Sequence, residues 1–435
     1  MAETICLFED PQYVNLLPLA YTRPVYDVRC GMTTLREKIQ RSYPRAQLVL
    51  LCRPYLAEVV RQQNPGVAVN ELHEAVSLFL NGRILADDQL ARTIPLRGDD
   101  TMYLAGDKFV AVRIGNGKKG SVRDIDDVIH AEHFVELPRR AVDVTLIDYP
   151  WDLVKRNGEE LRNDARRRRR SGRTAIRGKL YPGVHLINKK DIFIGEGTMV
   201  KPGAVLDAEA GPIVIGRNVM IMPNAVIEGP AFIGNGSLIK VGAKIYGNTT
   251  IGERCKVGGE VEASIIHGFS NKQHDGFLGH SYVGMWCNLG ADTNTSDLKN
   301  NYGTVRVFVN GKEIDSGSQF VGLTMGDHSK SGINTMFNTG TVVGVSSNVF
   351  GAGFPPKFIP SYAWGGAEGL ATYDLEKSLE VARRVMARRN VTMTEADERL
   401  LRKVFELTRH ERIRMRNEQE KILFAQSSPE EKHKP

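Results

Sequence analysis

The residues best suited to chemistry in this sequence are histidines, arginines and the glycines beside them. His274 stands between Lys272 and Asp275 in Lys272-Gln273-His274-Asp275-Gly276-Phe277-Leu278-Gly279, and Asn288-Leu289-Gly290-Ala291-Asp292-Thr293 follows. A histidine flanked by a cation and an acid suits proton transfer near neutral pH. Near the N-terminus, Thr22-Arg23-Pro24, Arg29 and Gly31-Met32-Thr33-Thr34 stand just ahead of a helical stretch. Two arginines at a helix N-terminus can hold a phosphate; the alternative is surface arginines beside a well-capped helix. The run Arg166 to Arg170, with Arg173 beyond it, has no aromatic residue interleaved to stack on bases. It reads as a solvated linker or helix face rather than a nucleic-acid arm.

The elements that carry these residues are those of an ordinary globular chain. It has 435 residues, 41% apolar and 25% charged, with a formal net charge of +7. That length allows two to three domains, and the charge admits an anionic substrate. No stretch approaches the roughly 18–20 apolar residues that span a bilayer. Met1-Ala2-Glu3-Thr4 lacks a basic n-region, and Cys6, Cys30, Cys52, Cys255 and Cys287 lie far apart with no CxxC pair. The expectation is a cytoplasmic protein without a disulfide framework.

Residues 1–150 alternate short apolar runs with amphipathic stretches. Ile5-Cys6-Leu7-Phe8 and Gln47 to Cys52 read as strands, and Thr34 to Glu37 as a capping box opening a helix. A second helix near Leu56 to Val60 and the run Leu78-Phe79-Leu80 continue the alternation, which predicts a doubly wound α/β sheet. Residues 151–180 form a basic linker. Residues 181–353 have another grammar, in which Ile215, Ile221, Ile227, Ile233, Ile239, Ile245, Ile251 and Val257 recur every six positions. Period six fits neither a helix nor a hairpin; it is the signature of a left-handed parallel β-helix with the aliphatic side chains inward. Gly195, Gly216, Gly234, Gly252 and Gly258 follow those aliphatics, where an unusual φ is expected. The repeat breaks from Asp297 to Asp315, with a hairpin-like Asn310-Gly311, and resumes near Phe320. Residues 354–435 form a C-terminal extension with amphipathic helices at Leu375 to Arg389 and Glu395 to Arg416, and a polar tail after Ser427.

A β-helix behind an α/β domain of this kind resembles the bifunctional N-acetylglucosamine-1-phosphate uridyltransferase and glucosamine-1-phosphate acetyltransferase family, in a short-domain form. His274 to Gly279 and Asn288 to Thr293 align without gaps to that family's H-x-x-Y-L-G and N-I-G-A-G-T, with Phe277 in place of the tyrosine. The resemblance implies that His274 is the catalytic base, Asn288 binds substrate and Ala291 borders the cofactor. It puts Asn301 and Tyr302 at the family's N-Y-D-G, after a short insertion. Lys240, in Lys240-Val241-Gly242-Ala243, stands for an arginine of R-P-G-A and keeps the charge without the bidentate fork. Acetyl-CoA as co-substrate, a sugar phosphate acceptor and a homotrimer follow from the same resemblance. His267, His274, His280 and His328 also permit a zinc reading, but spacings of seven and six put them on different faces or coils.

The N-terminal resemblance is degraded. Leu7 to Gln12 replaces the family's glycine-rich phosphate loop, Pro24-Val25 replaces its Pro-Lys pair, and Arg83 falls where the family has a magnesium-binding aspartate. Asp87 or Asp88 could substitute as Mg²⁺ ligands with a different geometry. Arg23, Arg29 and Gly31 are what remains of a nucleotide site. The expected function is acetyl transfer to a sugar phosphate, nucleotidyl transfer to a sugar-1-phosphate, or both. The alternative is a non-catalytic sugar-nucleotide-binding scaffold or sensor.

Overall fold

The computed structural model describes residues 3–72, 76–115, 128–172 and 175–417; Arg173 and the tail beyond Ser427 lie outside them. The N-terminal strand Thr4–Phe8 is apolar and fully buried, so it takes the sheet centre. It pairs in parallel with Gln47–Leu50 on one side and Val76–Asn81 on the other. Ala68–Val69 extends the parallel half. Beyond Val76–Asn81 the sheet turns antiparallel through Lys108–Arg113 and Thr101–Ala105. The sheet has the parallel half expected of an α/β domain, and its seven strands are mixed because Gly106 lets Thr101–Ala105 and Lys108–Arg113 close as a hairpin. The predicted capping box is present: Thr34 Oγ1 accepts from Glu37 N, and Glu37 accepts from Thr34 N at 2.7 Å, opening helix Leu35–Ser42.

From Lys179 to Gly366 the chain winds into a three-faced prism, the left-handed parallel β-helix that the hexads predict. Face A starts at Lys179–Leu180, face B at His185–Ile187 and face C at Ile192–Ile194. Ile215 pairs with Ile233 and Ile233 with Ile251, so a regular coil takes eighteen residues, three hexads. The inward aliphatics stack into one continuous core from Ile192 to Leu370. The glycines after them serve a purpose other than the expected unusual φ. Their φ values are not positive; the left-handed corners belong to Gly197, Gly203, Gly236 and Gly242 and, equivalently, to Asn218, Asn224 and Asn248. Gly195 is glycine because a Cβ there would come within 2.5 Å of the Gly216 carbonyl on the next coil.

The basic linker is a packed element. Residues Pro150–Arg170 form a helix, with proline in its first turn and Asp152 accepting from Asp148 N and Tyr149 N. Its arginine run sits at the C-terminus, where cations are favoured. Arg167 and Arg170 pair with Asp88 of the first domain, and Arg169 pairs with Asp191 of the prism. Lys38, with no exposed surface, bridges Glu160 and Asp164 of this helix at 2.6 and 3.0 Å. The break in the repeat is a hairpin, Arg306–Val309 with Lys312–Asp315, whose valines pack on Trp151. Helices Leu375–Ala387 and Glu395–Leu407 fold back onto the first domain, placing Leu400, Leu401 and Val404 in one core with Val59 and Val60.

Asparagine should be tolerated at the corners and rejected beneath the strands. Gly242→Asn, at φ +64 with open space around it, should change stability by no more than about 0.5 kcal/mol. Gly195→Asn should cost about 1–3 kcal/mol or more by forcing adjacent coils apart. Thermal unfolding of the two variants checks this.

Candidate functional site

Two regions carry the residues singled out in the sequence: the crevice of the first domain and one edge of the prism. In open α/β sheets ligands bind beyond the C-terminal ends of the parallel strands. Here that crevice is filled by the chain's own ions. Glu9, directly after Thr4–Phe8, accepts from Arg53 Nε at 3.0 Å and Nη2 at 3.1 Å. Asp10 accepts from Arg83 Nε at 2.9 Å and Nη2 at 2.6 Å, and from Asn81 Nδ2 at 2.9 Å. Arg83 is 1% exposed and also reaches Asp148 at 2.8 Å.

Mg²⁺ does not fit this arrangement. Both Asp10 oxygens are engaged by cationic or amide donors, Asp87 accepts from Gln89 N, and Asp88 is paired with the arginine run. Among the described residues no three His, Cys, Asp or Glu side chains converge on a metal position. The four histidines of the zinc reading are separately engaged or exposed. His267 Nδ1 accepts from Tyr282 Oη at 3.0 Å, His280 meets Asp297, His328 stacks on Trp286, and His274 faces solvent.

Arg23, Arg29 and Gly31, expected as phosphate contacts, lie instead in the seam between the domains. Arg23 and Thr22 both donate to Asp327 of the prism, which also accepts from Met285 N at 2.8 Å. Arg29 reaches Glu253 at 3.0 Å and the Met32 carbonyl at 2.6 Å, and its backbone N donates to Tyr282 Oη at 2.9 Å. Gly31 N donates to Asn157 Oδ1, and a Cβ at Gly31 would come within 2.6 Å of Asp164. These residues recognise carboxylates and backbone of the same chain. Sequence reading missed this because the acids that pair with Arg23 and Arg29 lie more than two hundred residues away.

The prism edge is different. His274 lies at the corner between strand Asn271–Lys272 on face A and Phe277–Gly279 on face B, with its ring exposed. Gly258-Gly259 is stacked on this corner from the neighbouring coil: a Cβ at Gly258 would meet Gln273 O at 2.6 Å and Lys240 Cβ at 3.0 Å. Asp292 N donates to Asp275 O, which seats Ala291-Asp292 on the other side. Asn271 Nδ2 donates to Asn288 Oδ1 at 3.2 Å across face A, and Arg389 donates to Asn271. The structure thus gathers Lys240, His274, Asn288 and Ala291 on neighbouring coils along one edge. Asn301 and Tyr302 are exposed on the excursion, which leaves and rejoins the prism beside His280 at the other end of Phe277–Gly279.

Two features of this edge were not anticipated. Burial, with the crowding of Arg389, Arg388 and Lys240, pushes the Lys256 ammonium below its usual range, so the loop after Leu375–Ala387 brings cations to face A. Lys272 pairs with Val257 at an inward position that aliphatics occupy in the preceding coils. Its Nζ donates to the carbonyls of Gly258 at 3.2 Å and His274 at 2.9 Å, and burial lowers its pKa to about 8. A lysine at the hexad position was the available signal for it.

Known proteins are similar to parts of this chain. Residues 5–173 match the family described as sugar nucleotidyl transferase. The bifunctional protein GlmU of Methanococcus aeolicus is 30% identical over 234 residues, covering 53% of this chain and 45% of that protein. The GlmU of Methanocaldococcus jannaschii is 32% identical over 238 residues, covering 54% and 46%. A solved UDP-N-acetylglucosamine acyltransferase of Francisella novicida is 15% identical, covers 50% of this chain and 73% of that one, and has a TM-score of 0.23. The chain spans about half the length of the curated relatives it matches. The protein joins a sugar nucleotidyl transferase domain to a hexapeptide β-helix. Over about half of its length the chain is similar to GlmU proteins.

If Asp10 serves Arg83 rather than a metal, Asp10→Ala should cost about 3–5 kcal/mol by leaving a buried guanidinium unpaired. Unaltered stability on denaturant unfolding would count against the filled crevice. Lys272 gives a pH test. Its pKa of about 8 in the folded chain lies below the ordinary 10.5. Between these values the unfolded chain binds more protons, so this group's contribution to stability rises with pH. The unfolding free energy of the wild type should gain up to roughly 3 kcal/mol on Lys272→Met between pH 7 and 10.5.

Proposed function

We propose that this protein transfers an acetyl group from acetyl-CoA to the amine of an amino-sugar phosphate, using the corner at His274. The observation that carries this reading is the exposed imidazole at that corner, between the glycine pair of one coil and Ala291 of the next, beside the cations of face A. His274 takes the proton of the attacking ammonium. The amine nitrogen forms the C–N bond to the thioester carbonyl, the C–S bond breaks, and the thiolate leaves and is protonated. Lys240 and Asn288 hold the acceptor, the lysine contributing charge without bidentate geometry. Ala291 leaves room for the donor.

Nucleotidyl transfer through Mg²⁺ finds no support in the filled crevice. The first domain is instead a docked partner that braces the prism. Faces A and B carry half-buried outward residues such as Met199, Met220 and Val226, whereas face C lies under the helix Pro150–Arg170 and the first domain. This favours a homotrimer in which neighbouring prisms enclose the donor.

His274→Ala should lower kcat by roughly 10²–10⁴-fold with glucosamine 1-phosphate and acetyl-CoA, followed by free-thiol release. KM should change less, because Lys240 and Asn288 remain. The melting temperature should hold, since the side chain lies outside the stacked core. A variant with the full wild-type rate would overturn the role of His274. A wild type that releases no thiol would overturn the activity.

A further inference from the structure

The break at Asp297 is the sequence feature that the acetyl-transfer reading leaves unused, and both its ends close on His280. Gly322 N donates to His280 O at 3.0 Å, and Val321 N to Asp297 O at 2.9 Å. Asp297 Oδ2 lies 2.7 Å from His280 Nδ1. A carboxylate only accepts, so Nδ1 carries the hydrogen, and in the neutral ring Nε2 is the acceptor. The ring stacks on Phe320 with centroids 4.9 Å apart. Gly279 allows the pair to form, since a Cβ there would strike Asp297 Oδ2. His280 takes the left-handed backbone of its corner column, φ 43°, as Asn248 and Ala263 do on the coils before it.

This oriented imidazole borders a cavity of about 310 Å³ between the corner and the helix Pro150–Arg170. Trp151, Val154 and Phe320 form its apolar side. Lys155, Glu159 and Arg162, spaced to share one helix face, form its polar side. Arg162 is engaged by the carbonyls of Gly158 and Ala210, both at 3.1 Å. Lys155 is exposed and has no ion pair among the described residues. The cavity therefore offers Lys155, with the Glu159 carboxylate one turn along and no ion pair between them among the described residues, an imidazole oriented by Asp297 and an aromatic plane.

We propose that this cavity is a second ligand site, for a small hydroxylated anion. Lys155 takes the anionic group, His280 Nε2 accepts from a hydroxyl, and the C–H face of the ligand lies on Phe320. The site is separate from the His274 corner, which stands at the other end of strand Phe277–Gly279.

Titration calorimetry on the full chain tests this with glycerol 3-phosphate and glycerate as the two sources of anion and glycerol as the uncharged control. At least one anion should bind, with glycerol at least tenfold weaker; the tighter anion identifies the charged group. His280→Asn removes the ring while tolerating the left-handed φ. His280→Asn and Lys155→Ala should each weaken binding by about tenfold or more, the loss of a charge-assisted or buried hydrogen bond. Equal melting temperatures would show that both variants are folded. The proposal fails if neither anion binds at millimolar concentration, if glycerol binds as tightly, or if folded His280→Asn keeps the wild-type affinity.

Discussion

The stacking of one backbone coil on the next at hydrogen-bonding distance is the constraint on which this protein is built. Parallel strands stand about 4.8 Å apart, so each coil must repeat the outline of its neighbour. Inward positions accept stacked aliphatics, from Ile194 through Ile215, Ile233 and Ile251 to Ile266. On this face the residues directly after Ile194, Ile215, Ile233 and Ile251 are glycines, where a Cβ would strike the next coil. What the rule leaves free are the corners, and the distinctive side chains stand there. His274 and His280 occupy the two corners that flank one strand, and Phe269, Trp286 and His328 stack up the third edge.

The first domain docks on the prism and on the helix Pro150–Arg170 through both apolar contacts, such as Val25 and Val28 with Ile265 and Tyr282, and ion pairs. Asp327 receives Arg23 and Thr22, Glu253 receives Arg29, and Glu160 with Asp164 encloses Lys38. Buried ion pairs contribute little net stability compared with hydrophobic replacements, but losing one partner is costly. They fix a single relative arrangement of the two parts. Tyr282 joins this seam to the prism, accepting from Arg29 N and donating to His267, which burial and the nearby Arg23 and Arg29 keep neutral.

How far the fold was legible followed from the range of the interactions involved. The hexads announce the prism because each coil repeats a local rule, and Thr34 with Glu37 announces a helix start because the contact spans one turn. The mixed sheet was hidden because strand order depends on a hairpin after Val76–Asn81, not on alternation of elements. Arg23 and Arg29 looked like phosphate ligands because sequence displays a charge without its partner. Their acids lie on coils 224 and 304 residues away. The edge containing Lys240, His274 and Asn288 was legible only through its motifs. The His280–Asp297 pair had a signal of its own: the seventeen-residue interval also separates the paired Asn271 and Asn288, one coil on from each other.

The excursion from Asp297 to Phe320 shows how a solenoid acquires a pocket without breaking its core. Coil stacking continues beneath it, since Tyr282 pairs directly with Thr324 and Val283 with Met325 across the inserted residues. The insertion therefore escapes the outline rule that governs every other coil. Its hairpin valines lie against Trp151, so the helix that joins the domains and the loop that leaves the prism hold each other in place. Between them they cover a corner that a bare prism would present to water. Asp297, the first residue free of the repeat, can then leave the stacking pattern and turn its carboxylate onto His280. An inserted hairpin is thus a low-cost route to a fixed acid–imidazole pair, because the coils already hold the histidine and only its partner must be supplied.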